Sequence, residues 1–533
     1  MVSMLILISV VIMLCVIFNK ISSKLGIPML LFFILLGMLF GSDGIFKIHF
    51  DDYHFAEAIC STALIFIMFY GGFGTKWSEA KPVAVKAVLL STLGVALTAF
   101  VVGLLCHFIL KIDLWESLLI GSVISSTDAA SVFSILRSKK LGLKYNTASL
   151  LEVESGSNDP CSYMLTTIVL AVMGGNAQGG SIIYMIFAQI AYGLAFGVVI
   201  ALLAVWILKK LKLDTAGFDA ILVVAVAILA YSLPSFIGGN GYLSVYIAGI
   251  IMGNCPIKNK KSLVNFFDGV TGLMQVLIFF LLGLLSYPSQ MVYNIVPAIA
   301  IALFLTFIAR PISVFAILSP FKCSINQQLL VSLSGLRGAA SIVFAIMVFI
   351  SPVHINSDIF NIVLCIVLLS IGIQGTLLPV FAKKLDMIDE NSDVLKTFSD
   401  YSEEIEVNFI QLSITDNHMW INKSLKEITI PPNTLVVLLI RNNEKIVPHG
   451  DTIINEGDIL VLAARSLCEN YGIVLTEIII DKKSKWIDCC LSDVKLDGGL
   501  VIMIKRDESI IIPNGETRIK DKDILVINSA EGI

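Results

Sequence analysis

The sequence predicts an all-α polytopic membrane protein of thirteen transmembrane helices, built as two inverted six-helix repeats with two broken crossing helices and followed by a cytoplasmic α+β tail. Three observations predict it. The chain of 533 residues is 56% hydrophobic and only 15% charged, with a mean hydropathy of +0.88, outside the range of soluble globular chains. Apolar runs of bilayer-spanning length recur as far as about residue 382. The lysines and arginines between those runs gather in alternate loops. A net charge of −4 gives no reason to expect nucleic acid as a partner.

The first run, Met1 to Phe18, lacks a basic leading region and a small-residue cleavage site before Asn19 and Lys20, so it reads as a membrane helix rather than a signal peptide. A span needs roughly 20 mostly apolar residues, which places spans at about 3–19, 27–41, 55–73, 84–110, 114–136, 147–174, 181–208, 217–236, 241–254, 267–286, 291–318, 327–350 and 358–382. Loop charge tests that count. Odd-numbered loops hold Lys20 and Lys24; Lys76 and Lys81; Arg137, Lys139, Lys140 and Lys144; Lys209, Lys210 and Lys212; Lys258, Lys260 and Lys261; and Lys322, with Lys383 and Lys384 after the last span. Even-numbered loops hold only Lys47 and Lys111. The positive-inside rule then puts the amino terminus outside and the tail in the cytoplasm of a cell membrane.

The ten cysteines show no CxxC spacing, and Cys15, Cys60, Cys106 and Cys365 lie in apolar runs where they act as small hydrophobes. The vicinal Cys489 and Cys490 read as ordinary packing in the tail. The six histidines lie in loops, near span ends or in the tail, and none is read as a ligand.

Ionisable groups inside a membrane are costly and point to function. Here they gather in three spans. The fifth contains Ser125, Ser126, Thr127 and Asp128; the sixth contains Glu152, Glu154, Ser155, Ser157, Asn158 and Asp159 before Pro160; the twelfth contains Ser334, Gly335, Arg337 and Gly338. In the fifth and twelfth, SSTDAAS and SGLRGAAS interrupt an apolar helix, and such unwound backbone is tolerated only where protein or a watery cavity satisfies it. Opposed half-helix ends also offer partial charges to an ion. The two broken spans are seven apart, as two inverted repeats of spans one to six and eight to thirteen would place them.

On the sixth span Ser155 and Asp159 share a face, with Glu154 and Asn158 on the neighbouring one. A hard alkali cation wants oxygen ligands, which Asp159, Ser155, Thr127 and broken-span carbonyls supply. Asp159 is also the natural proton carrier, and competition of proton and cation for one carboxylate gives exchange. Arg337 needs an anionic partner, for which Glu154 and Asp128 are the candidates and Glu154 is favoured as a clamp between spans twelve and six. The competing reading of Thr127 and Ser155 is helix packing, and of the four charges Asp128, Glu154, Asp159 and Arg337 a purely structural network. Arg310 is read as snorkelling near its span end.

These residues resemble the first cation:proton antiporter family, the sodium/proton and potassium/proton exchangers, over roughly residues 1–385. ESGSNDP (Glu154 to Pro160) is similar to its sixth-helix signature, STDAASVF (Ser126 to Phe133) to its unwound fifth helix, GLRGAAS (Gly335 to Ser341) to its twelfth-helix arginine motif, and NGYLSVYIAGIIMGN (Asn240 to Asn254) to a further stretch. The resemblance implies an elevator-like core moving against a dimerisation domain, hence a homodimer. It also implies Asp159 as the cation and proton ligand, contributions from Glu154, Ser155 and Thr127, an Arg337–Glu154 pair, and electroneutral exchange associated with Asn158. One carboxylate carrying either a proton or a cation leaves the loaded core equally charged on both journeys, so membrane potential, worth about 2.3 kcal/mol per charge per 100 mV, does no net work.

After Lys384 the tail repeats itself. WINKSLKEITIPPNTLVVLLIR (Trp420 to Arg441) parallels WIDCCLSDVKLDGGLVIMIKR (Trp486 to Arg506), and HGDTIINEGDILVLAA parallels NGETRIKDKDILVINS. Each half reads as a strand, a helical WIxxxL stretch, a Val/Ile-rich strand and a final ILVL or ILVI strand. The domains expected are 1–385 for transport, then modules at 400–470 and 471–533. The modules resemble the carboxyl-terminal ligand-binding domain of regulators of potassium conductance, which implies dimerisation and a regulatory nucleotide or other small ligand; a bare assembly platform is the alternative. No GxGxxG follows a strand in the tail, so no NAD dependence and no other cofactor is expected.

The function expected is electroneutral exchange of K+ or Na+ for H+, with K+ preferred because of the tail, pH homeostasis as its setting and the lipid bilayer as its environment. A ligand-gated cation channel is the rival from another class. An enzyme finds no nucleophile with its base, no metal cluster and no phosphate loop in the sequence, so catalytic residues are expected to be none.

Overall fold

The computed structural model describes residues 9–17, 28–138, 141–175, 179–210, 216–257 and 259–389, together with 407–529 apart from 416–417, 432–433, 442–443, 466–473, 481–483, 495–498, 507–508 and 512. The chain divides into two units, Met1–Tyr401 and Ser402–Ile533.

The first unit is helical because its apolar runs can satisfy their backbone only within themselves. Its helices are α1 (Met29–Phe40), α2 (Tyr53–Gly74), α3 (Ala84–Phe108), α4 (Leu114–Val123), α5 (Ala129–Ser138), α6 (Thr147–Met173), α7 (Gly179–Lys210), α8 (Ala216–Phe236), α9 (Gly241–Asn254), α10 (Lys260–Leu285), α11 (Pro288–Phe321), α12 (Ile325–Leu333), α13 (Ala339–Ile350) and α14 (Ile359–Lys384). Among the described residues, seven of these are long and apolar enough to cross a membrane, and α1, α4, α9 and α13 are shorter apolar helices. Of the first expected span, residues 9–17 are helical, and the others lie outside the described residues. The expected start of the tenth span is corrected: α10 begins at Lys260, because its first turns are amphipathic and a hydropathy reading omits them.

Residues 124–128 separate α4 from α5, and 334–338 separate α12 from α13, so both polar interruptions read from the sequence break their helices. Three helices also carry one π-helical turn each, at Leu90–Gly94 in α3, Leu305–Ala309 in α11 and Ser370–Gly375 in α14. Such turns re-aim the side chains that follow and recur at functional sites. A short antiparallel pair, β1 (Gly142–Leu143) with β2 (Ile388–Asp389), ties the chain before α6 to the chain after α14.

The tail unit holds two four-stranded antiparallel sheets. The first consists of β3 (Val407–Ser413), β4 (Thr434–Arg441), β5 (Glu444–Ile446) and β6 (Ile459–Arg465), in the order β3-β6-β4-β5. The second consists of β7 (Val474–Ile479), β8 (Gly499–Arg506), β9 (Ser509–Ile511) and β10 (Ile524–Ser529), in the order β7-β10-β8-β9. The repeat extends to irregularities. The register slips past Val437 in β4 and past Ile502 in β8, leaving one extra residue in each. Val436, Leu439, Ile454, Leu460 and Leu462 core the first module, and Val501, Ile504, Ile519, Leu525 and Ile527 core the second at matching places. The WIxxxL stretches are not helical, contrary to the sequence reading. They form tight turns, with a short 3-10 turn at Leu491–Asp493, because the chain must double back to bridge Ser424 to Ile453 and Cys490 to Arg518.

Candidate cation site

A broken helix leaves carbonyls without intrahelical donors, and inside a membrane each must find a partner. Here side chains of α6, α14 and the breaks themselves supply them. The Ser122 carbonyl accepts from Ser162 Oγ (2.6 Å) and Ser125 Oγ (2.7 Å). The Ser125 carbonyl accepts from Arg337 Nη1 at 2.8 Å, and that nitrogen also donates to the Ser126 carbonyl. The Thr127 carbonyl accepts from Ser155 Oγ (2.5 Å), and the Leu333 carbonyl from Gln374 Nε2 (2.7 Å). The two breaks lie against each other: Asp128 N–H donates to the Leu336 carbonyl (2.8 Å), and the hydroxyls of Ser126 and Ser341 are 3.2 Å apart. Glycine permits the approach. A Cβ at Gly338 would sit 2.2 Å from Asp128 Oδ2, and one at Gly335 3.1 Å from Arg310 Nε.

Ser155, Asn158 and Ser162 occupy one face of α6, spaced three and seven residues on, and all meet the first break. Asn158 Nδ2 donates to Thr127 Oγ1 at 2.5 Å. Its own Oδ1 and Asp159 Oδ1 are buried acceptors without a hydrogen-bond partner. The Ser126 hydroxyl is a hydrogen-bond donor to the Asp159 carboxylate, and Asp128 is its charged neighbour. The structure therefore brings Ser155 and Asn158 to Thr127 and sets Asp159 beside Ser126 and Asp128 of the same break, leaving Asn158 Oδ1 and Asp159 Oδ1 with no protein donor, an arrangement that suits a bare cation or a proton. Asp128 is drawn off to another task. Its carboxylate accepts from Ser131 Oγ (2.6 Å) and N–H (3.4 Å), capping α5. Asn240 anchors α6 from the other side, donating to the Pro160 carbonyl at 2.8 Å while it caps α9 through Leu243 N–H.

The favoured Arg337–Glu154 pair is corrected. Glu154 is paired with Arg310, whose Nη2 donates to Glu154 Oε1, and both side chains are at most 2% exposed. Arg337 instead donates to the carbonyls of the first break, with Glu154 as a charged neighbour and not a hydrogen-bonded partner. Arg310 does not snorkel, because a π-helical turn immediately before it in α11 aims it inward. One signal was available: Arg310 stands eight residues inside its apolar run, about 12 Å at helical rise, too deep to reach the interface. A cavity of about 690 Å³, lined by Asp113, Trp115, Met173, Ser351 and His354, lies at the ends of α4, α6 and α13 and does not include these residues. Among the described residues no group of three or more His, Cys, Asp or Glu is placed to hold a metal.

The sequence model described as "Sodium/hydrogen exchanger, transmembrane" matches residues 9–384, and that of the TrkA-C domain matches 409–466 and 475–529. The chain is 33% identical over 453 residues to a protein named K(+)/H(+) antiporter NhaP2 of Shewanella sp. (strain MR-4), covering 84% of this chain and 78% of that one. It is 31% identical over 527 residues to K(+)/H(+) antiporter NhaP of Alkalimonas amylolytica, covering 97% and 91%. Among solved structures, that of the sodium proton antiporter MjNhaP1 from Methanocaldococcus jannaschii superposes with a TM-score of 0.61 at 25% identity, covering 69% of this chain and 97% of that one.

Proposed function

The chain belongs to the sodium/hydrogen exchanger family, and from that premise we propose that it exchanges K+ for H+ one for one across a cell membrane, at a site centred on Asp159. The observation that carries this reading is the buried Asp159 Oδ1 with no protein donor, beside Asn158 Oδ1 in the same state and facing a break whose Thr127 already binds Ser155 and Asn158. Such a carboxylate holds a proton or a cation, and Arg310 keeps the nearby Glu154 occupied, so one group titrates per cycle. Potassium is favoured by the names of the two relatives, and sodium by that of the solved structure.

The rest of the architecture follows from this reading. Thirteen spans in two inverted repeats fit the paired breaks, which lie against each other through Ser126 and Ser341. The transport domain runs over 1–385, with the amino terminus outside, and the modules at 400–470 and 471–533 regulate it from the cytoplasm, binding a nucleotide or other small ligand. The protein works as a homodimer and transports rather than catalyses, with pH homeostasis as its setting.

The test uses proteoliposomes with an imposed pH gradient and a pH-sensitive dye. K+, or Na+ in its place, collapses the gradient with wild type and fails to do so with Asp159→Asn. Folded wild type that moves no protons with either cation overturns the reading.

A further inference from the structure

An interrupted helix has lost the hydrogen-bonded ladder that makes it a rod, so α4 can hinge against α5, and α12 against α13. The breaks are pinned to each other at their centre by Asp128, Leu336, Ser126, Ser341 and Arg337. A pin at the centre does not by itself fix the outer ends of the four arms. Two buried side chains away from the site close those arms.

Glu116, the third residue of α4, is 3% exposed. Its Oε1 accepts from Asn356 N–H (2.7 Å) and Nδ2 (3.3 Å), and its Oε2 from Ser357 N–H (3.1 Å) and Oγ (2.5 Å). Gln327, the third residue of α12, is 5% exposed, and its Nε2 donates to the Tyr145 carbonyl (3.3 Å) and Thr147 Oγ1 (3.1 Å). Neither side chain is needed at its own helix start, since Asp113 caps α4 and Ser324 caps α12. The partners are equivalent too. Asn356 and Ser357 follow α13 and precede α14, whereas Tyr145 and Thr147 follow α5 and open α6. Glu116 to Gln327 and Tyr145 to Asn356 are each 211 positions apart in the sequence. Each clamp therefore joins the first half of one broken helix to the chain leaving the second half of the other, and the two stand at opposite ends of the crossing.

We propose that Glu116 and Gln327 are positioning residues for cation binding, paired end clamps that hold the two broken helices in register and so keep the oxygens of Thr127 and Asp159 together. The proposal rests on the reading of Asp159 and Thr127 as the cation site. The clamps differ in chemistry: Glu116 gathers four donors onto a carboxylate, whereas Gln327 offers one amide to two acceptors. Loosening either lowers the fraction of protein in which the site is assembled, and apparent affinity falls by that fraction.

The test measures gradient collapse in proteoliposomes of the full-length protein against K+ concentration, with Na+ in parallel. Wild type, Glu116→Ala, Gln327→Ala, Ser357→Ala and Asp159→Asn are compared. Glu116→Ala raises the half-saturating cation concentration about fivefold or more, Gln327→Ala about threefold, and Ser357→Ala, which leaves Glu116 three donors, about twofold, with maximal rates per folded protein close to wild type. A role confined to folding lowers the yield of folded protein by chromatography and leaves half-saturation unchanged in what remains; that result overturns the proposal. Should Glu116→Ala fail to fold, Gln327→Ala and Ser357→Ala decide. Wild type that moves no protons, or Asp159→Asn that transports like wild type, sinks the cation-site reading and the clamps with it, whereas a cation response that needs Asp159 but ignores the clamp variants sinks the clamps alone.

Discussion

The membrane unit and the tail both set an arginine against a buried carboxylate, and they do so in opposite ways. In the tail the pairing is saturated and duplicated. Arg441 Nε and Nη2 meet the two oxygens of Asp458 at 2.8 and 2.7 Å, Nη2 also reaches the Ile453 carbonyl, and Asn455 N–H adds a further donor. Arg506 repeats every contact on Asp523, with the Arg518 carbonyl and Lys520 N–H in the same places. In the membrane unit Arg310 meets Glu154 through one contact, and Glu154 Oε2 and Arg310 Nε are buried with no hydrogen-bond partner. A saturated pair closes a loop and asks nothing more of its surroundings. An unsaturated one beside a transport site keeps polar capacity in reserve, which a static scaffold has no use for.

The largest effect expected from breaking this contrast is in the membrane. Arg310→Ala strands the Glu154 carboxylate in a dry interior, at a cost of about 3–5 kcal/mol, and is expected to abolish most folded protein in detergent. Arg310→Met combined with Glu154→Gln removes both charges and recovers folding without restoring transport. Arg337→Ala, which strands only carbonyl dipoles, folds better than Arg310→Ala yet transports poorly. Size-exclusion profiles and thermal unfolding read the first property and proteoliposome flux the second. If Arg310→Ala folds as well as Arg337→Ala, the ion pair does not hold the helices and the contrast with the tail collapses.

The contrast also explains what the sequence could and could not tell. Apolar runs locate nearly every helix, since a lipid-exposed backbone has one solution. The breaks were legible because SSTDAAS and SGLRGAAS are the polar interruptions of otherwise apolar helices that contain no proline. Which arginine faces Glu154 was not legible. That choice depends on α11 packing beside α6, 156 residues away in the chain, and on a π-helical turn that no residue in LTFIA announces. Asn158 was read on the face next to that of Ser155, and in the structure both reach Thr127, Ser155 at its carbonyl and Asn158 at its hydroxyl. The tail repeat was plain in its letters, but WIxxxL has the spacing of a helix turn and folds as tight turns because the sheet needs the chain to return there.

A middle-sized effect is expected in the tail. Arg441→Ala removes three of the bonds that close the first module and leaves Asp458, 1% exposed, with Asn455 N–H alone. The loss is about 2 kcal/mol, confined to that module. Hydrogen exchange of the full-length protein should show β4 and β6 less protected while β8 and β10 are unchanged. Equal loosening of both sheets would mean that the modules do not fold as separate units.

The smallest effect is a dependence on acid. Burial pushes the Asp458 carboxyl up, but the Arg441 guanidinium and Asn455 N–H outweigh burial and hold it below the ordinary aspartate range; Arg506 and the Lys520 N–H do the same for Asp523. A carboxyl held low in the folded state stabilises that state at every pH above the unfolded value of about 3.9, and the contribution is lost as pH falls through the folded value. Both sheets should therefore keep their exchange protection from about pH 8 down to about pH 5 and lose part of it only below about pH 4. In Asp458→Asn the first module lacks that acid step while the second retains it. Protection that instead fades between about pH 7 and pH 6, above the range in which these carboxyls take up protons, would show that the duplicated pairs do not set the acid response.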